Sequence, residues 1–143
     1  MKTLLTSLQS HIVDGMDYLG GIKAVHLLPD ENLLPETTSF PCIGLKDGGI
    51  DHKEFTNAAR QFMSVELFAF VSISSADEAI VGKGDDKGIL DVMSDLKTAA
   101  LFYEPSGYVA QHNAFSEGPS QTMNFGGTAL IQKKKMTLKW VKV

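Results

Sequence analysis

The chain has 143 residues, 43% hydrophobic and 21% charged. That suits one globular domain over residues 1–143 with a core burying ~70% of the unfolded surface, and it excludes a disordered tail, a collagen-like fibre and a disulfide-stapled miniprotein. The net charge is -4, and of 13 basic residues all but Arg60 are lysine, which weighs against a phosphate-handling enzyme because forked phosphate contacts favour arginine.

Residues 3–19 read as the first helix: Leu5, Leu8, Ile12, Met16 and Leu19 recur at three- and four-residue steps, with Leu4 widening the stripe, and Gly20-Gly21 ends it. Residues 22–28 read as a short strand stopped by Pro29, and 29–39 as a loop or arm. A second strand is predicted over 40–46, a turn at Asp47-Gly48-Gly49, and a flexible polar excursion over 50–59. The clearest strand is 61–73, roughly 40 Å long and apolar on both faces, as expected of a covered central strand or one running on to a neighbouring subunit. Residues 74–86 read as a polar loop with one helical turn at 76–80. A second helix follows over 87–103, striped by Ile89, Val92, Met93, Leu96, Ala99 and Ala100, with Asp85, Asp86 and Asp91 at its positive end. Strands are predicted over 108–115 and 122–125, flanking a Gly118-Pro119 turn, and 128–143 form the last strand or hairpin arm. The order of helices and strands reads as α+β.

The single cysteine, Cys42, allows no intrachain disulfide and fits a reducing cytoplasm. The opening Met1-Lys2-Thr3-Leu4-Leu5 is broken by Ser7, Gln9, Ser10, His11 and Asp14 before it can form a signal-peptide core, and no apolar run approaches membrane-spanning length. The expectation is a soluble, unexported protein.

Few residues suggest bond chemistry. Cys42 with His52 or His112, and Asp47 and Asp51 nearby, is conceivable as a nucleophile–base pair, but no signature surrounds it and its apolar strand setting reads as an inert buried thiol. Asp51, His52 and Glu54 lack the spacing of a metal-ligand set and read as a solvated loop. His11, His26 and His112 are scattered and read as structural or surface residues. Gly82-x-Gly84 lacks the third glycine of a phosphate loop and is followed by two aspartates, so it reads as a loop and helix cap.

Charge is divided along the chain. Residues 128–143 hold five lysines and no acid, Lys133-Lys134-Lys135 among them, whereas 77–95 hold six acids against Lys83 and Lys87. Three readings stand: lysines guarding a solvated edge, pairing between the basic end of one subunit and the acidic loop of the next, or contact with nucleic-acid phosphates.

The layout carries a resemblance. It opens with the helix over 3–19. A strand follows, then a proline-flanked strand ending Phe40-Pro41-Cys42-Ile43-Gly44-Leu45. Next comes the long strand Gln61-Phe62-Met63-Ser64-Val65-Glu66-Leu67-Phe68-Ala69-Phe70, then a polar loop and a helix opening Asp86-Lys87-Gly88-Ile89-Leu90-Asp91-Val92. In order, length and style this resembles the tail terminator (tail-completion) proteins of long-tailed bacteriophages, a likeness shared by head–tail neck and minor tail proteins. The resemblance implies an α+β fold: a mixed, largely antiparallel sheet of about five strands, two helices on one face, order α-β-β-β-α-β-β. It implies a virion protein, assembled in the host cytoplasm, that forms a hexameric ring, caps the tail tube, ends its polymerisation and offers the head a docking surface. The implied partners are further copies, the tail tube protein, head–tail connector proteins and DNA in transit, with no catalytic residue, cofactor, metal, membrane or small-molecule substrate. The candidate subunit interface is Asp85, Asp86, Lys133, Lys134, Lys135, Phe68 and Phe70. The candidate loop contacting tube or head is Asp47, Asp51, His52, Lys53 and Glu54. The rivals from other classes are a small enzyme using Cys42 or the 51–54 cluster, and a nucleic-acid-binding module.

Overall fold

A computed structural model describes residues 1–35, 38–55, 58–112, 115–127 and 129–143, without the side chains of Phe55 and Ala58. The first amphipathic stripe folds as α1, Lys2–Gly15, burying Leu4, Leu8 and Ile12. The helix stops four residues earlier than the stripe suggests. Met16 leaves helical backbone at φ -131° and a single 3-10 turn, Asp17–Leu19, follows. The pattern hides this break because Met16 and Leu19 stay buried in either geometry. The predicted strand over 22–28 likewise begins late. Ile22–Ala24 form another 3-10 turn, and only β1, Val25–Leu27, pairs parallel with residues 43–45.

The largest departure lies in the second and third strands. β2 runs unbroken from Cys42–Phe55 and pairs antiparallel with β3, Ala58–Ser72. The expected turn at Asp47-Gly48-Gly49 is a bulge inside β2, where the pairing shifts between Asp47 and Ile50. Asp47 Oδ1 accepts the Gly49 N–H at 2.8 Å, Gly49 takes φ +99°, and a Cβ on Gly48 would lie 2.9 Å from the Ser64 carbonyl oxygen. The polar segment expected to be a flexible excursion is therefore strand through residue 55. Residues 56–57 lie outside the described residues, as do 36–37 of the predicted loop over 29–39.

After β3, Ser75 caps the short α2, Ala76–Val81, its Oγ accepting the Glu78 N–H at 3.3 Å. α3, Ile89–Ala100, buries Ile89, Val92, Met93, Leu96 and Ala100. Asp85 and Asp86 do not cap it. Asp91 Oδ2 accepts the Gly88 N–H at 3.3 Å, while Asp86 and Lys83 exchange backbone hydrogen bonds. Gly88 sits where the two helices meet, and a Cβ there would come within 2.4 Å of the Ile80 carbonyl oxygen.

The predicted strand over 108–115 is β4, Tyr108–Ala110, with 113–114 outside the described residues. β5 (Ser116–Glu117), β6 (Gln121–Phe125) and β7 (Ala129–Lys142) follow; Thr128, in the predicted last strand, is also outside the described residues. β4, β5 and β6 all pair antiparallel with β7 along its far side. The result is an α+β fold whose described residues form a mixed, largely antiparallel seven-stranded sheet, β1-β2-β3-β7 with the three short strands beyond, and three helices.

The helices cover one face of the sheet. There the Trp140 indole donates to the Tyr103 carbonyl at 2.8 Å, and Leu45, Val65, Leu67, Leu138 and Trp140 are all but inaccessible. Residues 28–35 cross the lower half of the opposite face. Leu28 packs on Gly44, where a Cβ would stand 2.4 Å from Leu28 Cδ1 and 3.1 Å from Phe70 Cε2. Lys133 reaches the same segment, its Nζ 3.2 Å from Asn32 Oδ1 and 3.6 Å from Glu31 Oε2.

Candidate interaction surface

The predicted interface residues do not form one surface. Phe68 and Phe70 are 0% exposed, sealed by residues 28–35, so they present nothing to a neighbour. The strand pattern showed them only as apolar residues on the second face; the cover comes from a segment far away in sequence. Lys133 is buried against Glu31 and Asn32, Lys134 Nζ donates to the Gly118 carbonyl at 2.7 Å, and Lys135 lies 3.6 Å from Glu66 Oε1. All three lysines thus serve contacts within the chain. Asp85 and Asp86 are exposed in the turn between α2 and α3.

Asp47, Asp51, His52, Lys53 and Glu54, expected on a loop, lie exposed along β2. The strand separates them. Asp51 and Lys53 face one side and His52 and Glu54 the other, so Asp51, His52 and Glu54 cannot converge on one ion. Among the described residues no group of three or more His, Cys, Asp or Glu side chains gathers in a metal-ligand arrangement. Cys42 and His52 stand ten residues apart on one strand, ~30 Å. The Cys42 thiol is fully buried, which pushes its pKa up to about 12. Among the described residues, neither the Cys42–His52 pair nor the 51–54 cluster is brought together.

The remaining histidines are built into packing. His11 stacks on Tyr103 at 3.8 Å. His112 accepts the Lys139 N–H on Nδ1 at 3.3 Å and meets Trp140 edge-on at 4.8 Å. The Nε2 atoms of His26 and His112 are buried with no hydrogen-bond partner among the described residues, and burial lowers the pKa of both rings. The Tyr18 hydroxyl donates to Asp95 at 2.8 Å, and its pKa is raised, first by burial and then by that bond and the charges of Asp95 and Asp91.

What the fold does expose is backbone. Lys142 is the last β7 residue paired with β3, opposite Gln61, and among the described residues no third strand pairs with the hairpin beyond Gln61. Residues 47–54 are exposed, and Lys53 Nζ lies 5.0 Å over the Phe62 ring. This is a two-stranded arm projecting past the core.

The direction of its free groups follows from the ladder. Leu45 accepts the Leu28 N–H on its outer side, and the bulge then resets the pattern so that Asp51 and Lys53 bond inward to Phe62 and Arg60. The N–H and C=O of Ile50, His52 and Glu54 therefore face outward. At the far edge, Leu130 spends its carbonyl on Ile73, so Ala129, Ile131 and Lys133 turn towards β6 and bond Phe125, Met123 and Gln121. That leaves the N–H and C=O of Thr122 and Asn124 facing outward. Sequence reasoning placed the β6 strand but not its open side; the available signal was the uncharged run Gln121-Thr122-Met123-Asn124-Phe125 between glycine turns.

No protein-family model matches this chain, and no curated protein matches it in sequence. No helix among the described residues is long and apolar enough to cross a membrane.

Proposed function

We propose that this protein is a structural subunit of a phage virion, a tail terminator that assembles as a hexameric ring on the end of the tail tube, stops its growth and receives the head. The observation that carries this reading is the arm. A two-stranded hairpin with no third strand is marginal by itself in water and gains its order from a partner, yet β2 and β3 continue well past the last residue that this chain's own core covers. A ring built from one subunit type needs two different surfaces that meet head to tail, and a projecting arm together with a separate open edge supplies two. The α+β layout, with helices on one sheet face, is that expected from the resemblance. The tail tube, the connector and DNA in transit are the partners in this reading, and the virion is its location.

The test is assembly. The purified chain is measured for mass by light scattering and imaged, alone and with preformed tail tubes. A six-membered ring, free or at tube ends, is the expected result; a chain that stays monomeric in both settings and leaves tube ends bare would sink the reading.

A further inference from the structure

Natural sheets guard their edges with charge, proline, bulges or very short strands, because a bare edge pairs with whatever strand approaches it. The two edges of this sheet are treated differently. The outer edge of β2 carries Lys46, Asp47, Asp51, His52, Lys53 and Glu54 and is interrupted by the bulge at Gly48-Gly49. β6 lacks the charge, proline and bulge guards: Gln121–Phe125 contains no charge and no proline, and its register to β7 is unbroken over all five residues. No backbone hydrogen bond among the described residues closes its outer side. Thr122 and Asn124, whose backbone groups face outward there, are exposed.

We infer that β6 is a strand acceptor, and that its occupant is the arm of a second copy, whose Ile50, His52 and Glu54 present the matching outward N–H and C=O groups. This rests on the ring-subunit reading and names its contact. Access argues for the arm: β1 covers the outer edge of β2 only at residues 43–45, residues 47–54 are exposed, and from Lys53 on the hairpin also runs past the last pair that β7 supports. Charge agrees. An uncharged acceptor opposes no like charge to Asp51, Lys53 or Glu54, so the guarded edge, poorly suited to pairing with itself, is accommodated on β6. The direction also agrees: β2, β3, β7 and β6 alternate antiparallel, and a β2 laid outside β6 continues the alternation. The contact is heterologous, so it propagates from copy to copy.

Two variants of the full chain test this. Asn124→Pro removes an outward N–H while leaving the inward bonds of Met123 and Phe125 in place. In the second variant, residues 52–61 are replaced by an Asn-Gly turn, which closes the hairpin at the Asp51–Phe62 pair. Each alone should be a folded monomer by light scattering and circular dichroism. Mixed, they should form a one-to-one complex of about twice the 15.5 kDa protomer mass and go no further, because each retains the surface that the other lacks. If the arm-shortened variant dimerises alone while Asn124→Pro does not, β6 pairs with itself and the arm is not its occupant. If Asn124→Pro forms rings as readily as the unaltered chain, strand addition at β6 is overturned while the ring reading survives. An unaltered chain that never assembles takes both down. Hydrogen exchange on the unaltered chain gives a readout that needs no variant: the amides of Thr122, Asn124, His52 and Glu54 should slow at least tenfold on assembly, and unchanged rates in an assembled ring would overturn the contact.

Discussion

The lower and upper halves of the β2–β3 hairpin are the same two strands in opposite circumstances. Around Cys42, Gly44, Phe68 and Phe70, the hairpin lies between helices on one side and residues 28–35 on the other, and all four residues are buried. Around Lys53 and Glu54 it is exposed, and no third strand pairs there among the described residues. The lower half makes stability and the upper half makes surface, so substitutions in the two halves should separate folding from association.

The largest effect belongs to the lower half. Phe70→Ala should cost about 3–5 kcal/mol in denaturant unfolding, because Leu28 and Gly44 are held too closely to refill the space. Next is Lys133→Glu, which sets a carboxylate beside Glu31 in a buried site and should cost about 3 kcal/mol, whereas Lys135→Glu, half-exposed beside Glu66, should cost less than ~1 kcal/mol. Equal costs at the two positions would mean that residues 28–35 do not seal the lower half. For the same reason, reversing all three adjacent lysines would report on folding rather than assembly.

A smaller effect is expected from pH. Burial lowers the pKa of His26 and His112 in the fold, so the unfolded chain binds protons more readily than the folded one. Their contribution should be fully present above the ordinary histidine pKa of about 6.5 and be lost as pH falls from there through the lowered folded values. Unfolding midpoints followed from pH 7 to pH 5, a range chosen around that ordinary value, should therefore decline, and the double variant His26→Gln, His112→Gln should flatten the decline. An equally steep decline in the double variant would remove the histidines from the account. Smallest of all, His52→Ala with Glu54→Ala should move the unfolding midpoint by no more than ~0.5 kcal/mol equivalent, since both side chains are exposed. A larger loss would mean that the upper half supports the fold.

Much of the lower half was readable from sequence and little of the upper half was. The stripes of α1 and α3 and the alternation of Met63, Val65, Leu67 and Ala69 announce a core, because burial on one face leaves a period. Residues 50–55 leave none, since a strand exposed on both sides has the composition of a loop. Lys133 misled for a different reason. Its partner Asn32 is 101 residues away, and no local pattern distinguishes a lysine turned inward across a sheet from one facing solvent. Phe68 and Phe70 were legible as a second apolar face but not as a covered one, because the cover is an irregular segment.

The glycine pair at 48–49 has a consequence for the arm that concerns parity. By taking one extra residue into β2, it sets Ile50 opposite Met63; with no extra residue absorbed, Ile50 would stand opposite Phe62 and every later arm residue would exchange sides. Asp51 and Lys53 would then present their backbone to the exterior in place of His52 and Glu54. Gly49→Val, which resists the positive φ that the bulge requires, favours that inverted arm without altering its length or charge. Deleting residue 49 outright restores the original parity, so the shorter chain should behave more like the natural one than the substituted chain does.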